Sequence, residues 1–356
     1  MINKIMRDYV LKISLMLMLV LGLFITSVSA NTITNPKPQD INKMLTEAAI
    51  KHKVPPEVVK AVADVESGWR QFTDKGQPLI TSDGGIGIMQ VTNKPELDQN
   101  KLKTNIQYNI EQGVKILSDN YNRKDLPKIK GADRDVIENW YFPVMAYNGT
   151  KPENSPLYQA TGKVNTGAYQ EKVFSKIEKN IIWGRTLVDY PFEVKDFTYD
   201  PKSTKNIKFN KLLYTLTTPI TTSHALYNLK SKVITDDSAY LRKGPGTSYD
   251  LVNKNKLAKG TILTITGNLK YDMKNQFVWY PVQTTSGVKG YISSAYLSKY
   301  VLTTNTVTNK STTVTGNVEK GYTLSVKSGS KVLGTYKSKE AGTYKIKIKV
   351  QTAGTK

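Results

Sequence analysis

The sequence predicts a multidomain protein, with an α-helical domain followed by two all-β modules. Three observations carry this prediction. The chain has 356 residues, enough for several domains. From about Asp40 to Trp183, apolar residues recur at helical spacing. After about Val188 that period gives way to short Thr-, Val- and Tyr-rich runs punctuated by Gly and Asn, the pattern of strands and turns.

The chain opens with Lys4, Arg7 and Lys12, and residues 13–25 are apolar apart from Ser14 and Gly22. Val28-Ser29-Ala30 places small residues where a signal peptidase cuts. Residues 1–30 therefore read as a secretory signal peptide, cleaved after Ala30. The apolar run falls short of the ~18 residues a spanning helix needs. No later stretch is apolar enough to span, so an exported protein without stable membrane insertion is expected. Residues 31–40, with Pro36 and Pro38, read as a mobile leader.

Residues 41–183 make up the helical domain. Met44, Leu45, Ala48 and Ala49 mark a first amphipathic helix. Pro55-Pro56-Glu57 opens a second, since Pro is tolerated in a first turn. Val58, Val59, Val62 and Val65 form its apolar face, and Glu66 flanks that face near the helix end. A further helix over residues 106–117 carries Ile110, Val114 and Leu117 as a buried stripe. Residues 184–229 hold Pro191, Pro201 and Pro219 among short β-like runs, and read as a linker or an extension of either neighbour. Residues 230–300 alternate as a small β-barrel does, with Ile262, Thr264, Ile265, then Val278, Tyr280, Val282, then Tyr291 and Ile292. Residues 303–356 add further strands, with turns expected at Gly316, Gly321, Gly334 and Gly342.

Composition excludes several chemistries. No Cys is present, which removes thiol nucleophiles, disulfides and Cys-ligated zinc. Only His52 and His224 occur, in segments without metal-ligand spacing, so no metal site and no cofactor are implied. His52, between Lys51 and Lys53, reads as a solvated helix end. No nucleophile elbow is present. Carboxylate chemistry remains. The net charge of +22 and pI near 9.7 suit an exported protein working on a polyanionic surface such as a Gram-positive wall. The charge is spread along the chain and no nucleic-acid motif accompanies it, so nucleic acid is not expected as a partner.

Glu66 is the candidate reactive group. It lies in Val62-Ala63-Asp64-Val65-Glu66-Ser67-Gly68-Trp69, an apolar helical stretch. A carboxyl among apolar side chains is costly to ionise, so its pKa rises, as an acid catalyst of glycoside cleavage requires. Gly84-Gly85-Ile86-Gly87-Ile88-Met89-Gln90 follows, and much later Ala146-Tyr147-Asn148-Gly149.

These motifs, in this order on a helical domain, resemble the soluble lytic transglycosylase catalytic domain, a lysozyme-like fold of the α+β class. The resemblance spans residues 41–183 and rests on Glu66-Ser67, Gly87-Ile88-Met89-Gln90 and Ala146-Tyr147-Asn148. Tyr169-Gln170-Glu171-Lys172-Val173 is similar to the family's closing Tyr-x-x-x-Val element. Ile88 stands where Leu is commoner, Gly149-Thr150 replaces the usual Ala-Gly, and Pro143 precedes the third motif. Residues 230–300 resemble a bacterial SH3-like domain through Ala239-Tyr240-Leu241-Arg242-Lys243-Gly244-Pro245-Gly246 and Val278-Trp279-Tyr280-Pro281-Val282. Such domains commonly bind wall peptides or glycan strands. Residues 303–356 resemble a bacterial immunoglobulin-like module, shorter than the ~100 residues of such sandwiches.

The resemblance implies cleavage of the β-1,4 bond between N-acetylmuramic acid and N-acetylglucosamine in peptidoglycan. Glu66 would protonate the leaving oxygen, the C6 hydroxyl would attack C1, and a 1,6-anhydro end would form without water. Asp64, two residues away on the helix, points elsewhere; Asp74 and Asp83 lie in the following loop, within reach of the cleft, although Asp83 reads first as a turn residue. A hydrolytic muramidase and a non-catalytic wall-binding protein are the alternatives. Tyr147 is the expected hydrogen-bond partner of Glu66. Ser67 is expected to bind the substrate N-acetyl region or orient Glu66, Met89 to pack along a sugar face, and Gln90 to bind the glycan or tie the loop to the helix. Gly87 is expected to let the backbone approach the sugar, Asn148 to bind substrate or bridge backbone, and Tyr169 to add a second hydroxyl at the cleft wall.

Overall fold

A computed structural model describes residues 34–181, 186–216, 220–272, 277–300, 302, 304–318, 322–339 and 342–354. The expected signal peptide, residues 1–30, lies outside the described residues. No helix among the described residues is long and apolar enough to cross a membrane.

The N-terminal body holds helices α1 (Pro38–Lys51), α2 (Pro56–Ser67), α3 (Gln99–Thr104), α4 (Ile106–Asn122), α5 (Tyr141–Asn148) and α6 (Tyr169–Lys176). The periodic apolar residues point inward as the spacing requires. Leu45, Ala49, Val58, Val59, Val62, Ile110, Val114 and Leu117 are all buried in one core. Local chemistry sets the ends. Gly68 adopts φ +61°, the left-handed conformation that stops α2 directly after Ser67. Asp98 and Asn105 cap α3 and α4 by accepting the N–H of Lys101 and Tyr108, each at 3.0 Å. Pro143 falls in the first turn of α5, where a missing N–H costs no helical bond, so the helix runs unbroken to Asn148. His52 is not solvated as expected: its Nε2 lies 2.6 Å from Glu111 Oε1 and ties the end of α1 to α4.

Residues 186–216 and 220–224 extend this body. Leu187, Tyr190, Phe197, Ile207 and Tyr214 join the helical core. The rings of Tyr141, Tyr190, Phe192, Phe209 and Tyr214 surround Phe142, with centroids 5.2–6.2 Å away. Strand β1 (Lys128–Ile129) pairs in parallel with β4 (Leu213–Tyr214), and β2 (Phe197–Thr198) pairs with β3 (Lys208–Phe209). The fully buried Glu138 carboxylate accepts Val188 N–H at 3.2 Å and Thr221 N–H at 2.9 and 3.0 Å. A buried carboxylate needs such donors, so the extension completes the electrostatics of the helical body as well as its apolar packing. Glu57, buried in the first turn of α2, accepts Ser223 Oγ–H and His224 N–H, both at 2.8 Å.

The following domain is one antiparallel sheet of β5 (Lys232–Thr235), β6 (Ile262–Ile265), β7 (Trp279–Thr284), β8 (Lys289–Ser293) and β9 (Leu297–Lys299), in the order β8-β7-β6-β5-β9. Val233, Leu263, Ile265, Val282 and Ile292 fill its core. Lys299 pairs with Asp135 at 3.2 Å, joining this sheet to the helical body. The last module pairs β10 (Thr313–Val318) with β13 (Gly342–Lys347) and β11 (Thr323–Ser328) with β12 (Lys331–Lys337). Val314, Val318, Tyr344 and Ile346 form its small core. Gly316 and Gly334 were expected at turns but lie inside β10 and β12; Gly321 lies outside the described residues. Any Cβ at Gly334 would come within 2.5 Å of Ile346 Cγ2, so Gly334 serves the close approach of β12 to β13.

A chain cut after residue 183 leaves Phe142 open to water and Glu138 buried without its donors. That fragment is expected to lose cooperative thermal unfolding, whereas a chain cut after residue 226 keeps it; far-ultraviolet circular dichroism on heating checks both. In the full chain, Phe142→Ala is expected to cost about 3–5 kcal/mol in denaturant unfolding.

Candidate active site

Glu66 is the last but one residue of α2 and is half-buried. Its carboxyl opens into a cleft of about 460 Å³ shared with Asp83, Gln90, Asn120, Tyr147 and Asn148. Tyr169, the first residue of α6, donates its hydroxyl to Glu66 Oε1. Three influences set the acid strength. Burial pushes the Glu66 pKa up, the Tyr169 hydrogen bond pulls it down and the Asp83 charge pushes it up, and together they raise it from its ordinary 4.5 to about 7. A carboxyl poised near neutrality can both give and take a proton.

The loop after α2 forms the cleft floor, held from beneath by two amides that sequence reading missed. Gln71 Oε1 accepts Ile88 N–H, and Asn109 Oδ1 accepts Met89 N–H, each at 3.0 Å. Their amide groups also donate to Leu102 O at 2.8 and 3.0 Å. Both side chains are 0 % exposed, so each would be costly to bury without these bonds. Asn109 lies one position before Ile110 on the buried side of α4; a polar residue on an apolar stripe was the available signal.

The motif residues divide sharply in what they do. Gln90 and Asn148 line the cleft. Gln90 also ties the loop together, donating to Gly87 O and accepting the Thr81 hydroxyl, both at 2.7 Å. Asn148 Oδ1 accepts Asn154 Nδ2–H at 2.9 Å. Ser67 is buried and donates to Ile88 O at 2.8 Å, pinning the end of α2 to the loop. Met89 is fully buried, so core packing replaces the expected sugar contact. Gly87 does not face the cleft: with φ +69°, its α-carbon turns toward Gln71 and Asn109, where a Cβ would lie 2.4–2.6 Å from their amides. Tyr147 is not the partner of Glu66. Its hydroxyl donates to Met89 O at 2.6 Å. Burial raises the Tyr147 pKa well above 10, with the Glu66 charge adding to it. Asp83 lines the same cleft; the Thr81 hydroxyl holds its carboxyl below the usual range. Asp74 is not in the cleft lining. Among the described residues no cluster of His, Asp and Glu has metal-ligand arrangement.

A family model for the transglycosylase SLT domain matches residues 43–166, and one for the bacterial SH3 domain matches residues 237–298. The chain carries an SLT transglycosylase domain followed by a bacterial SH3 domain. No curated protein matches the chain. An SLT domain implies lytic transglycosylase activity on peptidoglycan, and a bacterial SH3 domain implies attachment to the cell wall. The SLT match ends before Tyr169, yet α6 brings that residue against Glu66. The SLT body also extends past the match to the aromatic residues of 186–214.

The raised Glu66 pKa has a consequence for stability. Between the ordinary carboxyl value of 4.5 and about 7, the folded protein holds a proton that the unfolded chain has lost, so stability falls as pH rises through this window. Glu66→Gln removes that slope. The variant is expected to gain on wild type between pH 4 and pH 8 by on the order of 2 kcal/mol, read from denaturant midpoints at the two pH values.

Proposed function

We propose that the protein is an exported lytic transglycosylase in which Glu66 is the single acid and base. The reading rests most on the Glu66 carboxyl, poised at about 7 in an open cleft and held by one hydroxyl. The neutral carboxyl gives its proton to the oxygen of the MurNAc-β-1,4-GlcNAc bond as C1 acquires oxocarbenium character. The C6 hydroxyl of the same muramic acid then bonds to C1 and returns its proton to the Glu66 carboxylate. The products are a 1,6-anhydromuramoyl end and a free N-acetylglucosamine 4-hydroxyl, with no water consumed. Gln90, Asn148 and the Tyr147 ring are assigned to glycan binding from their place in the cleft wall. Ser67, Gly87 and Met89 shape the floor beneath it, and Tyr169 orients the acid. Residues 41–224 are assigned to this catalytic unit.

One observation favours a second reading. Asp83 is exposed, the pKa of its carboxyl lies below the usual range, and it shares the cleft with Glu66. A second carboxylate is what a hydrolytic muramidase uses to activate water. Residues 230–300 are assigned to wall attachment. A groove of about 400 Å³ lined by Tyr240, Trp279, Tyr296, Arg242 and Lys256 suits an amphipathic wall fragment.

Mass spectrometry of digested peptidoglycan distinguishes the two chemistries. Anhydro-muropeptides are expected, and reducing ends would establish hydrolysis instead. Glu66→Gln is expected to lower turnover by at least about 10³-fold, and Asp83→Asn by less than about 10-fold, as befits a residue that only tunes the acid. A much larger loss in Asp83→Asn would favour the muramidase. Deleting residues 230–300 is expected to weaken co-sedimentation with purified wall.

A further inference from the structure

The Glu66 site draws on the end of α2, the turn after α5 and the start of α6. One buried side chain outside the recognised motifs touches two of these. Asn154 is 3 % exposed. Its Oδ1 accepts Tyr169 N–H at 3.0 Å, and its Nδ2 donates to Asn148 Oδ1 and Gly149 O, both at 2.9 Å. Its own carbonyl accepts Gln170 Nε2–H at 2.9 Å. All the polar groups of this amide are thus committed between the cleft wall and the first turn of α6.

The arrangement has a physical reason. First-turn N–H groups have no partner within their own helix. Ala168 stands at the N-cap of α6 and has no side chain to supply one. Asn154 supplies that acceptor from a loop 15 residues earlier. Tyr169 carries its hydroxyl at the far end of a rigid ring, and a hydrogen bond tolerates only a few tenths of an ångström before it weakens. Where the backbone of Tyr169 is placed therefore decides whether the hydroxyl meets Glu66.

We propose that Asn154 is a positioning residue for Glu66: it sets the Tyr169 hydroxyl against the carboxyl and locks the Asn148-Gly149 turn to the same point. Its meaning for catalysis rests on the reading of Glu66 as the acid and base. Its physical content does not, because the proton affinity of Glu66 can be measured directly. Asn165 provides the contrast. Its Nδ2 donates to Glu153 O at 2.9 Å and Ser155 O at 3.1 Å, and its Oδ1 accepts Gly167 N–H at 3.2 Å. It braces the same loop, and none of its side-chain bonds reaches Tyr169.

The test follows the Glu66 carboxyl by carbon-13 NMR titration of the full chain, with its signal assigned by its loss in Glu66→Gln. The Tyr169 bond favours the ionised carboxyl, so Asn154→Ala is expected to raise the Glu66 pKa by about half a unit or more. Asn165→Ala is expected to lower the thermal midpoint comparably and leave that pKa in place. In a Tyr169→Phe background, Asn154→Ala is expected to add no further shift, because the path is already broken. If Asn154→Ala does not fold, Asn154→Ser, too short to hold all three side-chain bonds, enters the same cycle. An unmoved pKa, an equal shift in Asn165→Ala, or a shift that persists without the Tyr169 hydroxyl each overturn the assignment. A fully active Glu66→Gln would instead overturn the proposed function and leave the titration result standing.

Discussion

A carboxyl kept largely out of water, yet within reach of one hydroxyl, is the constraint on which the site depends. Burial alone would drive the Glu66 proton affinity too high for the group to release its proton, and free exposure would leave it ionised. The Tyr169 hydrogen bond opposes the burial, and the balance falls near neutrality. Holding that balance requires the end of α2, the loop floor and the start of α6 to stay in register. Ser67, Gln71 and Asn109 do this for the loop with buried hydrogen bonds rather than with bulk. Each is a small polar residue whose loss would leave a main-chain group buried and unpaired.

What could be read from the sequence was whatever repeats locally. The apolar stripes of α1, α2 and α4 announce themselves by spacing, and their residues are buried as that spacing demands. Glu66 was legible because a carboxyl beside such a stripe is unusual and the Gly87–Gln90 and Ala146–Asn148 motifs follow it in order. The outward direction of the loop residues was not legible. Gly87 and Gln90 both adopt positive φ, at +69° and +45°, so side chains in this turn follow neither helical nor strand alternation. Met89 thereby turns into the core, where a sugar contact had been expected. The sequence favoured Tyr147 over Tyr169 as the partner of Glu66, and the packing of α6 against α2 reverses that choice.

Residues 186–224 were opaque for a different reason. Their contribution to the core comes mainly from rings, with Leu187 and Ile207, outside any helical repeat, and short pairings such as β1 with β4 link positions far apart in the chain. Neither produces a period. Two buried carboxylates, Glu57 and Glu138, await main-chain donors from this segment. Buried acids in a domain that shows no partner for them are a sign that the chain returns, and here they indicate where it docks.

Glu57 and Glu66 stand at opposite ends of α2. At 1.5 Å per residue they are about 13 Å apart along one helix. Glu57 grips the segment that leads into the SH3 domain, and Glu66 faces the cleft. The helix is thus a short strut with the route to the anchor at one end and chemistry at the other. A tug on the SH3 domain reaches α2 through two hydrogen bonds and the helical body through the Lys299–Asp135 pair. Any displacement of the Glu57 end of α2 would therefore move the element that also carries the acid.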